Sequence, residues 1–324
     1  MRGEYNAPVR LPSSLVPVFL VVVGCSSSNV TVPDAAAPLD MHIPAPTTLG
    51  PAMTLANCLA ADASFVYWSD STPAIMKVPV GGGTPAQVAA GGDKNSCVAV
   101  DGSGIYWIDA DKIMKAPLTG GGTMALASSQ HPLKGAPLVA AGGFVYWITD
   151  VYGDVDAYDG KNAVVRVPTA GGSVQVVVAD LTGSPGGLAV DDTNVYYSDQ
   201  SGVFARPLAS PATSIPFGTS TLHGNALAVG GGHLAMNEIA GVGSGDVAVF
   251  RLDGMMRTVV SNSLAQPLAV DDKGVYINGT GSLERLALDG SGATLLATQP
   301  PRAVALSAST IFFTDGTAIY SLPR

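Results

Sequence analysis

The sequence predicts an all-β fold: a ring of seven four-stranded blades, the last closed by a strand from the N-terminal side. Three observations predict it. A pair of aromatic or bulky apolar residues recurs about every 40 residues. Four short pieces of strand-like composition surround each recurrence. The first and last parts of the repetitive region are complementary fragments of one blade.

The recurring pair sets the period. It appears as Tyr67-Trp68, Tyr106-Trp107, Tyr146-Trp147 and Tyr196-Tyr197, then in weaker form as Ala235-Met236, Tyr276-Ile277 and Phe312-Phe313. Successive copies lie 39, 40, 50, 39, 41 and 36 residues apart, the spacing of a repeat architecture. Upstream of each pair stands a short apolar piece: "LAAD", "VAVD", "VAAG", "LAVD", "LAVG", "LAVD" and "ALSA". An acid usually follows the pair, as in Asp70, Asp109, Asp150, Asp199, Glu238 and Asp315. A third piece comes next, as in "IMKVPVGGG" and "IMKAPLTGGG", and a fourth closes most copies, as in "AQVAA" and "RTVVS". These pieces are short, β-branched or aromatic, and bounded by Gly, Pro, Asp or Ser. That is strand composition with turn punctuation, and no stretch beyond the N-terminal segment has helical periodicity.

One such sheet cannot cover its own apolar faces, whereas blades packed face to face in a ring can. Such a ring is a β-propeller. The wholly apolar first piece belongs innermost, and the pair on the second strand fills the space between blades. The glycine runs Gly81–Gly83 and Gly120–Gly122 recur at one blade position, so they read as turns between strands three and four. The seventh copy stops at Leu322–Arg324, on its third piece. Pro44–Met53 holds the place of a fourth piece without a blade of its own. Pairing the two closes the ring and removes both sheet edges. A six-bladed ring would require one copy to be something else, yet even the degenerate fifth keeps all four pieces: "LAVG", "HLAMNE", "DVAVFRLDG" and "RTVVS".

Composition agrees. Of 324 residues, 47% are hydrophobic and 13% charged, with 39 Gly and 23 Pro. Long solvated helices need more Lys, Glu and Arg than this. The net charge of −9 argues against a nucleic-acid surface and against direct binding to anionic lipid.

The N-terminal segment is different. Arg2 and Arg10 precede the apolar run Leu15–Val23, which leads into Gly24-Cys25. As a helix this run reaches about 14 Å, short of a ~30 Å hydrocarbon core, so it reads as a signal peptide. Val22-Val23-Gly24-Cys25 resembles the bacterial lipoprotein box. That resemblance implies cleavage after residue 24 and lipidation of Cys25. Ser26, in place of Asp, implies outer-membrane sorting. The expected organisation is therefore 1–24 signal peptide, 25–46 flexible tether rich in Ser, Ala, Pro and Asp, and 47–324 propeller.

The order Leu-Ala-Val-Asp, Val-Tyr-Trp/Tyr-x-Asp, Ile-x-Lys/Arg, Leu-Asp-Gly resembles the YWTD repeat of lipoprotein-receptor-type propellers over residues 55–324. "YWSD", "YWID", "YWITD" and "YYSD" are close, and copies five to seven drift. YWTD rings usually have six blades, so the count departs from that family. The chain also resembles bacterial exported propellers with similar repeats.

Cys58 and Cys97 stand at one place in adjacent copies, just before the innermost strand, where blades crowd the axis. A disulfide between them is expected in an exported protein.

Most catalytic signatures are absent from the sequence: there is no Gly-x-Ser-x-Gly, His-Glu-x-x-His, P-loop or Gly-x-Gly-x-x-Gly. The third copy carries an excess loop, "TDVYGDVDAYDGKN", in which Asp150, Asp154, Asp156 and Asp159 form a candidate Ca²⁺ site without the spacing of an EF-hand. No other cofactor is expected. The entries to the inner strands carry Asn57, Asn95, Lys134, Asn225, Gln266 and Arg302, with His223 beside them, as the expected rim of an axial ligand pocket. Lactonase-like propellers place acidic metal ligands around the axis, and no Asp or Glu stands at these entries. The expected function is a non-enzymatic binding module at the cell envelope. Its ligand is a protein, peptide or glycan, and it meets the membrane only through the lipid anchor. The alternative is a lyase or hydrolase working in the axial pocket, with or without a metal ion.

Overall fold

Seven four-stranded antiparallel sheets account for the repeat, one sheet per copy. The computed structural model describes residues 43, 45–50, 58–92, 96–128, 137–149, 162–183, 185–209, 213–217, 226–241, 244–253, 256–263 and 265–324. All belong to the unit Ile43–Arg324. Blade one illustrates the pattern, with its inner strand at Ala60–Ala61, its second at Phe65–Ser69, its third at Ala74–Pro79 and its outer strand at Ala86–Ala90. The other inner strands are Val98–Asp101, Leu138–Ala141, Leu188–Val190, Leu227–Gly230, Pro267–Val270 and Ala303–Leu306. Each inner strand touches the next, and the seventh touches the first, so seven blades close the circle.

The seventh blade closes as the sequence predicts. Thr47–Thr48 pairs with the strand Ile319–Pro323, Thr47 opposite Ser321 and Thr48 opposite Tyr320. The Leu49 N–H donates to the Ile319 carbonyl at 2.9 Å, and the Leu49 carbonyl accepts from Gly83 N–H at 2.9 Å. The Leu49 side chain is buried against Val66, Trp68, Phe312 and Ile319, joining blades seven and one.

The core is distributed between blades. Successive strand residues point to opposite faces, so the two members of each pair enter different spaces. The first packs toward the following blade and the second toward the preceding one. Tyr67 meets Trp107, Tyr106 meets Trp147, Tyr146 meets Tyr197 and Tyr196 meets Met236. Tyr276 meets Phe313, and Phe312 meets Trp68. Between blades five and six the partners are only Ala235 and Ile277.

The Asp that ends the inner strand organises the turn that follows, as its sequence position implies. Asp191 accepts the N–H groups of Thr193 and Asn194, both at 2.7 Å, and the Tyr196 hydroxyl at 2.9 Å. Asp62, Asp101 and Asp271 repeat this with Tyr67, Tyr106 and Tyr276. Blades three and five have Ala141 and Gly230 at this position. There the turn is made by Gly142-Gly143 and Gly231-Gly232, all with φ between 57° and 78°. The strand-three lysines stitch neighbouring blades. Lys77 donates to the Leu118 carbonyl and Lys115 to the Thr169 carbonyl, both at 2.8 Å.

Candidate functional site

The sequence-predicted site residues fall unevenly. Cys25, the acidic set Asp150, Asp154, Asp156 and Asp159, and the rim residues Asn57, Asn95, Lys134, His223 and Asn225 lie outside the described residues. Cys58 and Cys97 are described and bonded, their Cα atoms 5.1 Å apart at the entries to blades one and two. Gln266 and Arg302 are also described, and both line one cleft of about 980 Å³.

This cleft lies off the axis. Ser261 and Ser263 leave the outer strand of blade five, and Ala265 and Gln266 lead into blade six. Asn278–Gly281 forms the hairpin between blade six's second and third strands, Val275–Asn278 and Leu283–Leu286. Pro301 and Arg302 lead into blade seven. All of these segments sit on the face that carries the blade-to-blade connections.

The cleft opens where the repeat drifts. Blades five and six are the only neighbours whose shared space receives no aromatic from the recurring pair. Ile277 stands where blades one, two and three have tryptophan, and Ala235 where they have tyrosine. Across the strand from Ile277 is Glu284. The equivalent residues in the other blades are Met76, Met114, Val165, Phe204, Ala248 and Tyr320. Blade six is thus the only one to place a carboxylate at this register position.

The site is built around that carboxylate. Glu284 is half-buried and accepts the Ser282 hydroxyl at 2.8 Å. A Cβ on Gly279 would fall 2.0 Å from its Oε1, so a larger residue there would displace the carboxylate. Asn278 donates Nδ2 to the Pro301 carbonyl at 3.1 Å, which leaves Oδ1 as an acceptor. The Ser261 and Ser263 hydroxyls bond each other at 3.0 Å. Leu268, Ile277, Leu286 and Ala293 supply the apolar lining. Arg302 lies over the blade-seven turn, where a Cβ on Gly316 would meet its Nε at 2.7 Å.

The axial channel has a different character. A space of about 490 Å³ is walled by aliphatic residues such as Leu188, Val190, Leu227, Val229 and Leu268. Its charged groups are Asp271 and Arg324, at the end away from the strand entries. Asp271 Oδ2 accepts Arg324 Nε at 2.6 Å and the Tyr276 hydroxyl at 2.9 Å. Arg324 also reaches Asp272 at 2.8 Å and the Ser307 carbonyl at 3.0 Å, tying blade seven to blade six. Burial, reinforced by the hydrogen bond to Asp271, pushes the Tyr276 phenol up to about 12. Among the described residues no three His, Cys, Asp or Glu side chains gather to hold a metal ion. His233, the one described histidine, bonds the Gly231 carbonyl at its own turn.

No protein-family model matches the chain, and no curated protein matches it. Solved structures match the architecture. YCF48 from Cyanidioschyzon merolae is 13% identical over 86% of this chain and 98% of its own, with a TM-score of 0.61. AztD from Citrobacter koseri is 13% identical over 81% and 80%, with a TM-score of 0.55. XC5397 from Xanthomonas campestris, described as a gluconolactonase, is 17% identical over 85% and 88%, with a TM-score of 0.52. At such identities the likeness is one of fold. The chain is a seven-bladed β-propeller.

The candidate residues expected from the sequence include Gln266 and Arg302 of this cleft but not Glu284. The signal was present in "LERLALDG", where an acid replaces the apolar residue of "IMKVP" and "IMKAP". It is visible only once the strand register shows that Glu284 and Ile277 share a face.

Proposed function

We propose that the chain is an exported, lipid-anchored β-propeller that binds its ligand non-enzymatically at the bacterial cell envelope, through the cleft between blades five and six. The observation that carries this is the coincidence of three departures from the repeat: the lost aromatic pair, the cleft, and the solitary carboxylate of Glu284. A scaffold that repeats elsewhere and departs at one polar cleft supports a dedicated binding surface. Membrane attachment is supported by the lipoprotein-like Gly24-Cys25 and the Ser/Ala/Pro-rich tether behind it. The YWTD-like repeats are consistent with an interaction scaffold. The alternative, lyase or hydrolase chemistry on the axis, draws less support, because the described channel is aliphatic and its two charged residues bond each other.

Anchoring is tested by expressing the full chain in a Gram-negative host and fractionating the envelope. Wild type is expected in the outer-membrane fraction and Cys25→Ser in a soluble fraction. Equal membrane partitioning of the two would sink the anchor.

A further inference from the structure

The chemistry of the cleft narrows its occupant. Its lining is aliphatic where it is apolar, and no aromatic side chain lies among the described lining residues. A sugar ring or nucleobase therefore finds no aromatic face among the described residues, whereas an aliphatic side chain is matched. Around this surface stand amides and hydroxyls, Gln266, Asn278, Ser261 and Ser263, with the Arg302 guanidinium on the blade-seven side, across from Glu284 in blade six. The amides and hydroxyls suit a peptide backbone, which brings one acceptor per residue and, proline apart, one donor.

Glu284 adds charge selectivity. A half-buried carboxylate on an apolar face carries a desolvation cost that one serine hydroxyl offsets only in part. None of the described ion pairs involves it. Blade packing does not call for an acid here, because the other six copies use Met, Val, Phe, Ala or Tyr. A ligand ammonium or guanidinium would complete it with a charge-assisted bond. The net charge of −9 favours the approach of a cationic partner.

We infer that the cleft between blades five and six takes a peptide segment in which an aliphatic residue adjoins a basic one, the basic group pairing with Glu284. This rests on the cleft being the binding site and names its ligand class.

Panning a phage-displayed random heptapeptide library on purified wild type, Ile277→Trp, Thr280→Trp and Glu284→Gln tests it. Wild type is expected to enrich Lys or Arg beside Leu, Ile or Val. Ile277→Trp restores the repeat's own residue and fills the cleft, and is expected to enrich nothing. Thr280→Trp blocks the exposed rim and gives the same result should the buried change disturb folding. Glu284→Gln is expected to bind the wild-type peptides about tenfold or more weakly, the scale of one charge-assisted hydrogen bond. Undiminished enrichment on both tryptophan variants would overturn the cleft as the site. Enrichment lost on those two variants, but with no basic preference or with full binding to Glu284→Gln, leaves the cleft standing and overturns the ligand class. Failure of wild type to enrich any peptide overturns the ligand class as well.

Discussion

Leu49 is the point at which ring closure is open to a quantitative test. Among the described residues, the closing segment contributes the two exposed threonines of the strand and, just after them, the buried side chain of Leu49, at 2% exposure. Leu49→Ala removes three buried carbons, about 2.4 kcal/mol at about 0.8 kcal/mol per methylene. The cavity left against Val66, Trp68, Phe312 and Ile319 raises the cost to about 3 kcal/mol. Backbone bonds from Leu49 to Ile319 and Gly83 open with the strand, so the loss is felt where blades seven and one meet. Urea unfolding followed by tryptophan fluorescence reads the global term. Hydrogen exchange read by mass spectrometry on the strand Ile319–Pro323 reads the local one, with an expected acceleration of about a hundredfold if the blade opens there. An unfolding shift under about 1 kcal/mol, with exchange in that strand unchanged, would refute closure by this segment.

Two further outcomes follow from the scaffold. The Cys58–Cys97 bond spans 39 residues, and cross-linking a loop of that length stabilises by about 4 kcal/mol through the unfolded chain. Cys58→Ser with Cys97→Ser is expected to lower the unfolding free energy by that scale, and a loss under about 1 kcal/mol would contradict it. The pH dependence has a definite sign on each side. Burial works to raise the Asp191 carboxyl, but the Thr193 and Asn194 N–H groups and the Thr193 and Tyr196 hydroxyls together hold it below its ordinary value. Its stability contribution is therefore present above about pH 4 and lost as pH falls through the depressed folded value. Burial pushes Tyr106 and Tyr276 up to about 12, so their contribution is lost as pH rises from about 10 toward 12. Denaturant midpoints across pH are expected to show both flanks. Asp191→Asn is expected to reduce the acid flank, and an identical acid flank in that variant would contradict the assignment.

How much of this was legible beforehand depends on whether a feature repeats. Tyr67-Trp68 and its recurrences carried the blade count, and Leu322–Arg324 with Pro44–Met53 carried the closure, because each is a local pattern recurring in order. The Cys58–Cys97 bond was legible for the same reason: equivalent positions in adjacent blades lie near each other at the axis. The opposite destinations of the two aromatic partners were not, because the period of two says that they diverge but not which neighbour each meets. The cleft was least legible. The drift beside it, Ala235 with Ile277, spans two copies 41 residues apart, and each change alone looks unremarkable. Of the rim residues expected at the inner-strand entries, Gln266 and Arg302 are described and line the cleft, while the others lie outside the described residues.

The most direct test of the proposed cleft is the exchange footprint of the tightest peptide recovered from the library, bound to wild-type protein. The account predicts slowed exchange in residues 261–266 and 277–286, with the inner strands Leu188–Val190 and Leu227–Gly230 unaffected. Protection confined to those inner strands, with none around Glu284, would contradict it.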